Sequence, residues 1–184
     1  MRRHICAVLL VALLVAACGS STASAPPRPT APAGWTVVVS DSQDVRLTLP
    51  PWMVAWDTRS GAIFANEAPL GPGADFLELM ATGPQADDQP GPTERLEDWL
   101  EAKLAPAGRG VGNAQSIVLP AGRGIVIDRV VEVGTPNIWR FAAYAIRTPA
   151  GVGYLLLDGP PNLWAVHEAD MNLIPLLMEL GPGR

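Results

Sequence analysis

The chain has 184 residues, 48% of them hydrophobic, and its 18 acidic and 13 basic residues give a formal net charge of −5. Nucleic-acid binding calls for clustered Lys and Arg that neutralise phosphates, so this composition excludes a nucleic-acid partner. Both cysteines lie within the first 18 residues. We therefore expect a fold that is stabilised by a hydrophobic core and not by disulfides.

The N-terminus has the pattern of a bacterial secretory leader. Two arginines precede an apolar run over 5–15, which is shorter than the roughly 20 residues of a membrane-spanning helix. Two alanines then precede Cys18, and this pattern resembles the lipobox of bacterial lipoproteins, in which the cysteine is acylated and begins the mature chain. The alternative is an ordinary leader with an incidental cysteine. We expect a signal peptide over 1–17 and lipidation at Cys18. The mature protein would then lie on the extracytoplasmic face of the cell membrane or in the periplasm.

The segment that follows Cys18 differs in composition from the rest of the chain. Residues 19–34 are mostly Ser, Thr, Ala, Pro and Gly, with too few apolar side chains to form a core. We expect the lipidated cysteine and this segment, 18–34, to form a disordered tether with a reach of up to about 50 Å. Residues 35–184 are long enough for one domain with its own core.

The first half of this domain contains short apolar segments separated by turn residues. Four of them are predicted as strands: 35–40, 45–49, 62–66 and 75–82. The polar turn 41–44 joins the first two strands, and Pro50-Pro51 ends the second. Loops are predicted over 67–74 and 83–92.

An amphipathic helix is predicted next, from Thr93 as its N-cap to about Ala105. Its apolar face consists of Leu96, Trp99, Leu100 and Leu104. Its acidic face consists of Glu94, Glu97, Asp98 and Glu101, with Asp87 and Asp88 upstream. This acidic face is predicted to be solvated. The alternative is a docking surface for a basic partner or a weak cation site, although it lacks the spacing of a calcium loop.

Three long strands and a final helix complete the prediction. The strands are 124–133, 138–148 and 152–158, with a hairpin loop over 134–137. Because they are apolar on both alternating faces, we expect central strands that are covered above and below. The helix is predicted from Leu163 to Leu180 with a kink at Pro175, whose ring removes a backbone donor.

Three segments together resemble the PsbP-like α/β/α sandwich family: Val45–Trp52, the strand pair 140–146 and 153–157, and Pro160–Trp164 at the start of the last helix. Members of that family include a photosystem II extrinsic subunit, a nuclear Ran-binding transport factor and many bacterial lipoproteins. The resemblance covers about residues 35–180. It implies an α+β fold with a central, mainly antiparallel sheet flanked by helices, and a role in protein binding or assembly and seldom in catalysis. No cofactor is implied, and no His or acid pair matches the metal sites of the photosystem branch.

His167 and Asp170 are the candidates for chemistry, because residues three apart are neighbours on a helix and both lie on its apolar face. They are either a general base with its orienting carboxylate, or a buried pair satisfied by itself, by Arg140 or by Arg147. The second interpretation is favoured. The pattern His-Glu-x-x-Met lacks the second ligand of a zinc site, and no serine or cysteine has a nucleophile setting. No residue is therefore predicted to be catalytic.

Four of the six tryptophans lie near strand ends or helix starts, where a groove could open: Trp52, Trp56, Trp139 and Trp164. They are either core residues or the lining of a cleft for a lipid, glycan or peptide. Glycines 108, 110 and 112 follow a helix and lack the spacing of a phosphate loop, so an ordinary loop is predicted there.

The sequence therefore predicts a non-enzymatic, lipid-anchored module of the cell envelope that binds or assembles an envelope protein. The alternative is a carrier or sensor of a small amphiphilic ligand at the tryptophan-rich end of the sheet. A hydrolase that uses His167 and Asp170 is third. An exposed apolar patch on one sheet face would favour the first function, and a closed core without a cavity would weigh against the second.

Overall fold

A seven-stranded antiparallel sheet organises the structure, which is a computed structural model that describes residues 24–59, 61–68, 76–84, 88–105, 113–132 and 138–181. The strands are β1 (Thr36–Val39), β2 (Val45–Leu49), β3 (Met53–Asp57), β4 (Ala62–Glu67), β5 (Glu78–Thr82), β6 (Gln115–Leu119), β7 (Gly122–Glu132), β8 (Ile138–Thr148), β9 (Gly151–Gly159) and β10 (Glu179–Leu180). The helices are α1 (Leu96–Leu104), α2 (Pro161–Val166) and α3 (Glu168–Leu177).

The strand order of the large sheet is β3-β4-β5-β9-β8-β7-β6, and every neighbouring pair is antiparallel. A smaller sheet has the order β1-β2-β10 and is also antiparallel. The expectation of a mainly antiparallel sheet is therefore confirmed. Strands β3 and β6 form the two edges of the large sheet.

Each face of the large sheet carries its own hydrophobic layer. On the first face, β2, α2 and α3 pack against β4, β5, β8 and β9 through a cluster that includes Leu47, Trp164, Met171 and Ile174. On the second face, α1 packs against β7, β8 and β9 through Trp99 and neighbouring leucines. The result is an α/β/α sandwich, as the sequence predicts.

The central position of β8 and β9 follows from their sequences. Tyr154–Asp158 in β9 is buried at every position, because one alternating set of side chains meets the first layer and the other set meets the second. The same expectation is wrong for β7, where Val130 is 59% exposed. That strand lies next to the edge strand β6, and Val130 belongs to neither of the two buried clusters.

Helix α1 begins later than the sequence predicts. Its N-cap is Arg95, which makes no side-chain capping bond. A turn precedes it, in which the backbone N–H of Glu94 donates to the carbonyl of Gly91 at 3.1 Å and the Glu94 carboxylate accepts from the Gly91 N–H at 2.9 Å. Thr93 lies inside this turn, so its prediction as the N-cap is wrong.

The single last helix of the prediction is two helices in the structure. The chain breaks at His167, which ends α2 and caps α3 with φ −110° and ψ 15°. Pro175 lies inside α3 and does not end it. Residues 179–180 leave the helix and form β10, because the free edge of β2 offers backbone partners to Glu179 and Leu180.

Three strands are missing from the sequence prediction: β3, β6 and β10. Strand β3 begins one residue after Pro50-Pro51, at Met53, whose N–H donates to the carbonyl of Pro50 at 3.0 Å. The two prolines therefore form the turn that takes the chain from the small sheet into the large one.

The described part of the predicted tether, residues 24–34, contains no helix or strand. It is not free of the domain, since Arg28 donates to the carboxylate of Glu179 at 2.8 Å. None of the helices in the described ranges is both long and apolar enough to cross a membrane. The leader, Cys18, Asp87, the loop glycines at 108, 110 and 112 and the hairpin loop 134–137 lie outside the described residues.

Tyr144 should make the fold sensitive to alkali. Burial, helped by the nearby charge of Asp128, raises its pKa from 10.0 to about 12. The folded state thus holds this proton more tightly than the unfolded chain, so stability is complete below pH 10 and decreases as pH rises toward 12. The expected loss is about 2.5 kcal/mol, measured by urea denaturation across this range. Tyr144→Phe should flatten the decrease, and an equal decrease in both proteins would contradict the assignment.

Candidate functional site

The residues predicted to carry chemistry meet at the break between α2 and α3. Trp52, in the turn before β3, stacks on His167 with ring centroids 3.9 Å apart and planes 28° apart. Its indole Nε1 donates to the carboxylate of Asp170 at 2.7 Å. His167 Nε2 lies 3.8 Å from a carboxylate oxygen of Glu67, the last residue of β4. One indole thus joins both candidate residues to the edge of the large sheet.

This geometry places Trp52, and not His167, at the Asp170 carboxylate. A general base needs a carboxylate that accepts from its imidazole, and no hydrogen bond joins His167 to Asp170 among the described residues. Asp170 lies in the first turn of α3, where a negative charge also interacts favourably with the helix dipole. The arrangement is suited to holding α3 against the sheet.

Removal of the Asp170 carboxylate should therefore weaken the fold. We expect Asp170→Ala to lower the free energy of unfolding by about 1.5 kcal/mol, because the half-buried indole loses a charged acceptor. Urea denaturation of Asp170→Ala, Trp52→Phe and the double variant would measure the coupling between the two side chains. Asp98→Ala, on the exposed side of α1, is the matched control and should change stability by less than about 0.5 kcal/mol. Additive losses in the double variant would contradict the contact.

Arg140 does not satisfy His167 or Asp170, so that part of the sequence prediction is wrong. Its guanidinium donates to Asp128 at 3.0 and 3.2 Å and to Glu168 at 3.4 Å, and these carboxylates hold its pKa above the usual value. It also lies 4.7 Å from the ring centroid of Trp164. Trp164 is 1% exposed and is a core residue of the first face.

The second face presents a different arrangement around Trp56. This side chain is 62% exposed and lies against Phe64, with ring centroids 5.3 Å apart. Strand register places Phe64, Met80 and Leu156 side by side on β4, β5 and β9. The adjacent row across the same strands is polar and consists of Asn66, Glu78 and Asp158. We call this surface the Trp56 groove; it encloses about 240 Å³ and is lined by Trp56, Phe64, Ala65, Glu78, Leu79, Met80, Leu156 and Asp158.

A second cleft of about 420 Å³ continues the Trp56 groove to α1, since Met80 and Leu156 line both. At its far side Lys103 binds the carboxylate of Asp88. The ammonium of Lys103 also lies 4.8 Å from the ring centroid of Trp99. The Lys103 contact holds the pKa of Asp88 below its ordinary value. Asp88 is therefore part of an ion pair at the end of α1 and not a member of a free acidic surface.

The structure does not gather the four predicted tryptophans into one groove. Trp52 and Trp164 belong to the first face, where Trp52 packs at the border of the core. Trp56 and Trp139 point to the second face, but Trp56 lies on the edge strand β3 and Trp139 on β8, opposite Val131 of β7. Only Trp56 is largely exposed to solvent.

Residues that the sequence analysis did not single out complete both sites. They are Glu67 beside His167, and Phe64, Glu78, Met80 and Leu156 in the Trp56 groove. The segment Met53–Asp57 alternates buried and exposed positions. Because residues 53–56 are all apolar in the sequence, hydrophobic periodicity does not predict that Val54 and Trp56 face the open side. The cross-strand neighbours follow only from the strand order.

Within the part of the chain that the structure describes, no three His, Cys, Asp or Glu side chains come close enough together to hold a metal ion. The buried carboxylate of Asp44 is bound by the hydroxyl of Ser40 at 2.9 Å and by that of Ser42. These contacts satisfy it within the protein, as is usual for a buried polar group.

Comparisons with known proteins identify the fold. No family model and no curated protein matches the sequence. The structure is similar to the solution structure of cyanobacterial PsbP (CyanoP) from Synechocystis sp. PCC 6803, with a TM-score of 0.52 and 10% identity over 83% of this chain and 95% of that chain. The fold is therefore PsbP-like, which confirms the resemblance drawn from the sequence.

Two further solved structures are similar at lower scores. One is the Ran-binding protein Mog1p of Saccharomyces cerevisiae, with a TM-score of 0.43 and 9% identity over 80% of this chain and 85% of that chain. The other is a protein from Bacteroides thetaiotaomicron VPI-5482, with a TM-score of 0.48 and 9% identity over 79% of this chain. The chain spans about half the length of that protein, 48% of it.

Proposed function

We propose that the chain is a lipid-anchored protein of the bacterial cell envelope that binds another protein without catalysing a reaction. The leader pattern before Cys18 supports the anchor and the extracytoplasmic location. The PsbP-like fold, which the chain shares with CyanoP, supports the role, because the family resemblance drawn from the sequence implies protein binding or assembly. Fold likeness alone does not carry a function, so the proposal needs a surface.

The observation that carries the proposal is the part of the second sheet face that no helix of the described residues covers. Helix α1 packs on β7, β8 and β9, whereas Val54 and Trp56 on β3 remain 50% and 62% exposed. A solvent-exposed tryptophan beside an apolar row is unusual on a monomer and is typical of protein interfaces.

A carrier of small amphiphiles is the less favoured function. Pockets for small molecules usually enclose about 300–1,000 Å³ and bury most of the ligand. The Trp56 groove of about 240 Å³ and the adjoining cleft of about 420 Å³ are both open to solvent, so neither would bury most of a ligand. A hydrolase is also disfavoured, because the Asp170 carboxylate is bound to Trp52 and not to His167.

Anchoring can be tested with Cys18→Ala in the full chain. Two or three acyl chains hold a protein stably at a membrane, because each buried CH₂ contributes about 0.8 kcal/mol. We expect the tagged wild-type chain to sediment with bacterial membranes and the variant to leave the membrane fraction almost completely. Cys6→Ala is the matched control and should change nothing. A Cys18→Ala chain that still sediments with membranes would exclude the lipoprotein assignment.

Protein binding can be tested by crosslinking in intact cells. Mass spectrometry of the proteins captured with the tagged chain should identify one envelope protein reproducibly, and Cys18→Ala should abolish its capture. Retention of a lipid or other small molecule without any protein would favour the carrier instead.

A further inference from the structure

We propose that the uncovered strands of the second face, β3, β4 and β5, bind an amphipathic helix whose flanks carry lysine or arginine. The helix belongs to the partner protein, so this inference rests on the protein-binding function proposed above. It adds the place of binding and the chemistry of the bound segment.

The dimensions of the uncovered surface match one helix. Neighbouring strands are about 4.8 Å apart, so the three intervals from β9 to β3 span about 14 Å. Two packed helices need about 8–10 Å between their axes. A second helix therefore fits beside α1 on the same sheet face without displacing it.

The floor of this position is apolar. Phe64, Met80 and Leu156 form one row across three strands, Trp56 lies at its outer end, and Ala102 of α1 lines the inner side. An amphipathic helix presents side chains at i, i+3, i+4 and i+7 in a stripe about as wide as this row. Trp56 is expected to contribute much of the binding energy, since tryptophan is enriched among the residues that dominate interface energies.

Charge determines which amphipathic helix fits. The two joined clefts are lined by three acidic residues, Glu78, Asp88 and Asp158, and by one basic residue, Lys103. Lys103 is bound to Asp88 and Asp158 is buried, so Glu78 provides the charge that a bound segment would meet. Glu78 is exposed in the polar row beside the apolar floor. Complementary charge favours lysine or arginine on the flank of the bound helix.

The edge strand disfavours the other way of binding a peptide, as an added strand. The register of β3 with β4 shifts between Ala55 and Asp57. Such a bulge interrupts regular backbone pairing and protects an edge from further strands. A bound segment is therefore expected to use the side chains of the face and not the backbone of the edge.

A synthetic peptide can test this directly. The probe is a biotinylated helix of about 18 residues, about 27 Å long, with leucines on one face and lysines on its flanks. A matched peptide has glutamates in place of the lysines. The full lipidated chain in phosphatidylcholine vesicles carries p-benzoylphenylalanine in place of Ala102, beside the groove. The control carries it in place of Val37, which is 54% exposed on β1.

The lysine peptide should crosslink saturably at position 102 and not at position 37, whereas the glutamate peptide should crosslink at neither. We expect Trp56→Ala and Glu78→Lys each to weaken binding about tenfold, or about 1.4 kcal/mol. Glu132→Lys, on β7 away from the groove, is the charge-matched control and should leave binding unchanged. Glu78→Lys should also strengthen binding of the glutamate peptide.

Equal crosslinking at positions 37 and 102, or equal crosslinking of both peptides, would overturn the proposal. The same photoreactive residue, used in intact cells, distinguishes failure of the groove assignment from failure of the proposed protein-binding function. If the envelope partner is captured from position 130 or 138 and not from position 102, protein binding stands and the groove assignment is wrong. If it is captured at position 102 through a segment that is not a basic amphipathic helix, the assigned occupant is wrong.

Discussion

Trp164→Ala should lower the free energy of unfolding by about 3–5 kcal/mol, the usual cost of removing a buried tryptophan. The side chain is 1% exposed and packs in the core cluster of the first face. The substitution also removes the aromatic ring that lies under the guanidinium of Arg140, an interaction worth about 0.5–1 kcal/mol. Urea denaturation followed by circular dichroism would measure the loss.

Trp56→Ala is the matched control, because it removes the same atoms from a position that is 62% exposed. We expect a stability change within about 0.5 kcal/mol, as for other surface positions. The control also separates stability from binding, since this variant should bind the peptide about tenfold more weakly and keep its fold. If Trp56→Ala and Trp164→Ala lowered the free energy of unfolding by similar amounts, the Trp56 side chain would be buried in solution and not exposed.

Gly124→Ala should destabilise the fold by at least about 3 kcal/mol, at the upper end of the range for overpacking. A Cβ atom at this position would lie 2.0 Å from the carbonyl oxygen of Ala145 and 2.9 Å from its carbonyl carbon. Both atoms belong to the backbone of β8, the strand paired with β7, so no side-chain rotation relieves the overlap. The two strands would have to separate where the sheet is most extensively paired.

Gly91→Ala provides the control for this glycine. Its Cβ would lie 3.7 Å from the Cβ of Glu94, an ordinary van der Waals contact. We expect its midpoint of urea denaturation to match that of the wild type. Hydrogen exchange should locate the damage of Gly124→Ala in β7 and β8, and uniform protection in those strands would refute the steric argument.

Hydrophobic periodicity and turn residues identified those strands and helices whose buried side chains follow a regular pattern in the sequence. Alternation and turn residues predicted β2 with its observed bounds, and β8 likewise. The apolar stripe of α1 was predicted residue by residue, and Leu96, Trp99, Leu100 and Leu104 are all buried. These elements bury a continuous face, so their periodicity is strong.

Short elements that depend on a distant partner were not predictable in this way. Strand β10 consists of two residues and exists because β2 leaves one edge free. The break at His167 also has no local cause in the sequence. At the break, the Trp52 ring stacks on the His167 imidazole and its indole N–H donates to Asp170. Trp52 lies more than 100 residues away from both in the chain.

The sequence by itself determined the fold class, the likeness to the PsbP family, the core face of α1 and the pairing of His167 with Asp170 as candidates on one helical segment. Only the tertiary structure decided what those residues do and which surface remains open. Periodicity records which side of an element is buried, but it does not record which elements become neighbours. Trp52 and Trp56 therefore look alike in the sequence, although strand order and the position of α1 place one beside α3 and leave the other in solvent.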